Sequence, residues 1–167
     1  MEQKNAEKRD MGQRNMEKKE KEQAARADIE KLLKQGNLIR IHPKGFSMYP
    51  LFVPGRDEAV IGPADTAKLK RGDVALYRRE SGRLVLHRIW KRRGSEFYMV
   101  GDNQKEIEGP LSEGQIKGVL KEVIRRGRRF SVDNPIYRLS AGIWLFFRPI
   151  RPFFWGVLAK IRKIKSS

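Results

Sequence analysis

Ser47 and His87 are the side chains of this sequence best suited to covalent chemistry without a cofactor. Ser47 sits in KGFSMYPLF, residues 44–52, two positions after Gly45 and three before Pro50. A serine attacks a carbonyl only when a base accepts its proton and donors hold the oxyanion that forms. Glycine lets the backbone approach closely and proline stiffens the turn that follows, so this stretch can hold the hydroxyl at a fixed angle. His87 lies in the middle of RLVLHRIW, residues 83–90, and an unshifted imidazole near neutral pH can serve as the base. By itself a serine in such a loop is an ordinary turn residue; the segments downstream give it weight.

Those segments are short runs bounded by Gly, Pro and Asp: LIRI (38–41), EAVI (58–61), DVALYR (73–78), RLVLHRIW (83–90), EFYMV (96–100) and IKGVLKEVI (116–124). Strands at this spacing without intervening helices predict a mainly β, antiparallel domain over residues 37–130. Alternation in RLVLHRIW puts Val85, His87 and Ile89 on one face and Leu84, Leu86, Arg88 and Trp90 on the other. His87 thus shares its face with apolar neighbours, which can turn it toward a sheltered site. Tyr77, Trp90, Phe97 and Tyr98 read as core or sheet residues, and His42, in the strand before the serine, as structural.

The flanks differ from this centre. Residues 1–36 begin with a solvated Lys, Arg, Glu and Gln tail, disordered or partly helical, and end in a short helix carrying Ile29, Leu32 and Leu33 before Gly36. No apolar stretch in the first thirty residues reads as a secretory signal or an N-terminal anchor. Residues 131–167 are aromatic and basic together, and the uncharged run from Leu139 to Phe147 is about half of the roughly 20 residues a spanning helix needs. This segment is read either as an amphipathic helix packed on the domain or as an interfacial segment. In the second case Trp144, Phe146, Phe147, Phe153, Phe154 and Trp155 would enter the head-group boundary of an anionic membrane.

The sequence has no cysteine, so disulfides and thiolate chemistry are excluded; with only two histidines, His42 and His87, a multi-histidine zinc site is not expected, nor is a cofactor or other metal. The formal net charge of +17 attracts polyanions, either nucleic acid or lipid head groups. Aromatics interleaved for base stacking are not evident in the β region, which argues against nucleic acid.

Taken in order, GFSMYP, the Gly72-Asp73 start of DVALYR, LHRI and the MVGDNQ turn resemble the signal peptidase I superfamily, which also contains the self-cleaving LexA-like repressors. The match covers roughly Ile41 to Val123, and its specificity lies in the order of four short motifs. LHRI resembles the histidine branch of that superfamily, the endoplasmic-reticulum and archaeal type, rather than the lysine branch. The resemblance implies a serine endopeptidase that cleaves signal or leader peptides of precursor proteins, with Ser47 as nucleophile and His87 as base. It further implies Asp102, in the GDN turn, as a structural or orienting carboxylate and Glu108 as the match by spacing to a later family aspartate. Glu106 lies between them, Asp73 is expected to cap its turn, and Arg88 to pair with a carboxylate or face solvent. Where many relatives carry a serine as oxyanion donor this chain has Gly45, which leaves the backbone N–H of Ser47 to carry more of that task. The family's N-terminal membrane helix is missing, so membrane association is expected to be peripheral, through the C-terminal segment. The alternative is a basic regulatory or membrane- or RNA-binding protein on a self-cleaving or inactive peptidase fold.

Overall fold

The computed structural model describes residue 24 and residues 28–146 of the chain. The helix at residues 28–34 (α1) ends at Gly36, whose φ of 89° lies in the left-handed region that favours glycine. Leu33 is buried in the domain core and Ile29 packs beside it, while Leu32 stays exposed, so α1 belongs to the folded body. The expected boundary at residue 36 therefore cuts through the domain.

Eight strands follow: β1 (Ile39–Ile41), β2 (Asp57–Gly62), β3 (Val74–Arg78), β4 (Leu84–Arg93), β5 (Glu96–Val100), β6 (Ile107–Leu111), β7 (Ile116–Arg125) and β8 (Arg128–Ser131). All pair antiparallel in one sheet of order β1-β2-β7-β3-β4-β5-β6, with β8 added to β7. The helix α2 (Pro135–Phe146) ends the described chain.

Period-two alternation divides the core between the two faces of this sheet. Val74, Leu76 and Leu86 join Met48, Phe52, Ile61 and Leu33 on one face; Ala75, Tyr77 and Ile89 join Phe97, Met99 and Leu111 on the other. The second face is concave. Tyr77 of β3 reaches Glu108 of β6 although β4 and β5 lie between those strands, so the sheet curls until its edge strand returns to β3. Val85, His87 and Ile89 of β4 share this inner face, in accord with the alternation of the sequence.

Candidate active site

Ser47 is carried by a loop pinned on both sides. Gly45 has φ of 88° with open space where a Cβ would be, so conformation and not room calls for glycine here. Phe46 is exposed and Ser47 half-buried, whereas Met48 and Phe52 are sunk in the core. Turn bonds from Tyr49 N–H to Phe46 C=O and from Phe52 N–H to Met48 C=O close the loop, and the Tyr49–Pro50 peptide is cis. The Ser47 carbonyl accepts the Asn103 N–H at 2.8 Å. A Cβ on Gly101 would lie 2.6 Å from the same oxygen, so the GDN turn is seated directly against the serine loop.

The strand register relates this turn to the histidine. Arg88 pairs with Val100 and Ile89 with Met99, and continuing that register sets Gly101 opposite His87. The backbone of Ser47 thus rests against the position facing His87, where β5 stops pairing. Among the described residues no hydrogen bond joins the Ser47 hydroxyl to His87, and the Ser47 N–H donates none.

His87 is 3% exposed, and its Nδ1 lies 3.0 Å from the Tyr77 hydroxyl. Because Tyr77 pairs with Val85, His87 is its diagonal neighbour on the same face, within reach of an aromatic side chain. The Tyr77 O–H donates to Glu108 at 2.8 Å, and Arg79 donates to both Glu108 oxygens at 2.6 Å. A phenol has one proton, so with that proton given to Glu108 its oxygen must accept from Nδ1–H of the imidazole. His87 is therefore the Nδ1–H tautomer, and Nε2 carries the lone pair of a base.

Charge fixes the direction of this relay. Burial alone would raise the Glu108 carboxyl, but the Arg79 and Tyr77 hydrogen bonds outweigh it and hold the group below the ordinary range. Burial, followed by the proximity of Glu108, pushes the Tyr77 phenol well above its usual value, so it remains a proton donor. Burial pushes His87 down from 6.5 to about 4, against the opposing pull of Glu108. Nε2 is thus unprotonated at neutral pH.

Two predictions arise here. Tyr77→Phe keeps the ring and removes the acceptor of Nδ1–H; any turnover that uses His87 as its base should lose roughly tenfold in kcat, the value of one hydrogen bond, with KM unchanged. Nitrogen NMR of His87 should show the tautomer mixing in this variant; an unaltered tautomer and rate would remove Tyr77 from the site. The second concerns acid. Between pH 6.5 and about 4 the unfolded histidine binds a proton that the folded one refuses, so stability is full above 6.5 and falls as pH drops toward 4. The loss should total on the order of 3 kcal/mol, and urea midpoints for His87→Gln should be flatter across that window than for the parent.

The structure separates the two candidate carboxylates. Asp102 gives both its oxygens at 2.7 Å to Arg88, which also donates to the Gly72 carbonyl at 2.7 Å, and the Asp102 charge reaches His87 as well, opposing the burial that lowers the imidazole. Its role is to tie the turn after β5 to the turn before β3. Glu108 is coupled to His87 through Tyr77 and not by contact. Glu106 is exposed, and Asp73 accepts the Lys70 N–H at 2.9 Å, closing its turn as expected. His42 stands exposed, 3.8 Å from Glu58, outside the site. Tyr77 and Arg79 are the residues that the sequence reading missed. Nothing in the alternation of DVALYR distinguishes a buried tyrosine that relays charge from one that only packs.

Of the two readings of the C-terminal segment, Trp144 fits the helix packed on the domain: its Nε1–H donates to the Asp102 carbonyl at 3.3 Å. Phe146 is exposed as expected, and Phe147, Phe153, Phe154 and Trp155 lie outside the described residues. No described helix is long and apolar enough to cross a membrane. Among the described residues no cluster of three or more acidic or histidine side chains is placed to hold a metal. The chain matches no family model and no curated protein.

Proposed function

We propose that this protein is a serine endopeptidase of the signal-peptidase type, acting on an extended peptide segment of a precursor protein. One observation carries the reading: His87 is buried with Nδ1–H committed to the Tyr77–Glu108 relay, which leaves Nε2 available as a base, and the GDN turn opposite His87 in the sheet register seats the Ser47 backbone. In this reading Nε2 takes the proton of Ser47 Oγ as the oxygen attacks the peptide carbonyl. Glu108, through Tyr77, stabilises the imidazolium that forms. The Ser47 N–H, which has no other acceptor among the described residues, donates to the oxyanion. Protonated His87 then gives its proton to the leaving amine, and water activated by the same nitrogen releases the acyl group from Ser47. A substrate would be held by strand addition to β1, the terminal strand of the sheet, whose chain runs directly into the Ser47 loop. Small side chains beside the cleaved bond follow from the family resemblance.

The test is digestion of a diverse peptide library, read by mass spectrometry, with the parent protein and Ser47→Ala. Cut sites that vanish in the variant support the reading. Cut sites shared by both proteins, or none in either, reject it.

A further inference from the structure

The helix α2 turns one face to the domain and, among the described residues, exposes the other to solvent. Ala141 and Leu145 are buried, Trp144 bonds the GDN turn, and Arg138 lies 3.6 Å from Asp73. On the opposite side Ile136, Leu139, Ile143 and Phe146 are 77, 67, 49 and 73% exposed. Their spacing of three, four and three residues confines them to about a quarter of the helix circumference, at 3.6 residues per turn. A continuous stripe of four large apolar side chains in water marks a surface that meets something apolar.

The charge around the stripe selects the occupant. The hairpin leading into α2 presents Arg126, Arg128, Arg129 and Phe130 to solvent, all exposed. After Asp133 the sequence contains no acidic residue, while it adds Arg138, Arg148, Arg151, Lys160, Arg162, Lys163 and Lys165. A second copy of this face would set like charge against like. Nucleic acid would neutralise the arginines but leave the apolar stripe wet. We propose that the outer face of α2 and the β7–β8 hairpin dock on an anionic lipid bilayer, the apolar stripe entering the head-group boundary and the arginines meeting lipid phosphate and carboxylate. The docking is peripheral and does not depend on the peptidase chemistry. It would also hold the GDN turn, and with it the Ser47 loop, one helix diameter, about 10 Å, from the lipid.

The test is flotation of the full chain with vesicles of phosphatidylcholine alone or mixed with phosphatidylserine. The protein should float with the mixed vesicles, remain in solution with phosphatidylcholine alone, and release as salt is raised. Leu139→Glu combined with Ile143→Glu should weaken flotation at least tenfold while leaving the melting temperature and circular dichroism unchanged, because both side chains are exposed. Arg128→Gln with Arg129→Gln should weaken it by a smaller factor. Flotation of the double glutamate variant equal to the parent would overturn the proposal. So would equal binding to both kinds of vesicle, loss of a dimer in the glutamate variant, or binding of a mixed-sequence RNA that falls in parallel with flotation.

Discussion

Alanine at Ser47 is expected to bring peptide cleavage down to the uncatalysed background, and alanine at His87 to lower kcat/KM by about 100- to 10,000-fold, the range of a single general base. The two losses should not multiply in the double variant, because in the proposed mechanism nucleophile and base act in one step. Ser47 is only half-buried and contributes no side-chain hydrogen bond among the described residues, so Ser47→Ala should melt like the parent. His87 is buried against Tyr77, and its removal leaves the phenol oxygen without the Nδ1–H. His87→Gln is the companion variant, separating loss of the base from loss of packing. The pH profile gives a second reading of the same residue. With His87 held at about 4, kcat/KM should be flat above pH 5 and fall as the solution is acidified through 4. An inflection near 6.5 would mean that the base is not a buried imidazole in this environment. Rates for the parent, both alanine variants and His87→Gln on one peptide, from pH 3.5 to 8, decide the matter.

Six of the eight strands were legible because their apolar residues alternate or run together between turn residues. The other two were hidden for distinct physical reasons. In Ile107–Leu111 the sequence IEGPL places Gly109 and Pro110 inside the strand, where glycine and proline ordinarily mark its end. Arg128–Ser131 is exposed throughout, so burial imposes no alternation on it. The same limit governed the site. Ser47 and His87 were singled out by the order of four motifs, but spacing along the chain cannot say which of Asp102 and Glu108 bonds to the partner of the histidine. That choice depends on β6 curling back to β3, a closure set by packing among Phe97, Met99 and Leu111 and not by any local pattern. Tyr77 was visible as a strand aromatic, yet its task follows from a diagonal pairing that exists only once the register of β3 on β4 is known.

Asp102→Ala is expected to cost about 3 to 5 kcal/mol of folding stability, the price of stranding one partner of a buried ion pair. Arg88 and Asp102 are each 2% exposed, and their two bonds at 2.7 Å are the main compensation for removing both charges from water. Burial alone would lower the Arg88 guanidinium, but the Asp102 carboxylate more than offsets this and keeps it charged above its ordinary value. A guanidinium stays protonated in proteins even without its partner, so Arg88 cannot escape the loss of Asp102 by giving up a proton. Replacing both residues, Arg88→Met with Asp102→Leu, should cost less than Asp102→Ala alone, since no isolated charge remains buried, although the Gly72 carbonyl then loses its donor. Urea denaturation of the two single variants and the double variant measures the coupling. Equal costs for Asp102→Ala and Asp102→Asn near zero would mean that the pair is not desolvated as described. The functional contrast is sharper. Asp102 is linked to Ser47 through the turn that offers the Asn103 N–H, whereas Glu108 reaches His87 through one phenol. Asp102→Asn should thus be an unstable protein whose folded fraction retains most of its kcat. Glu108→Gln, partly exposed and bonded to Arg79 at the rim, should remain folded and lose turnover. The opposite pattern would return Asp102 to the role of orienting carboxylate.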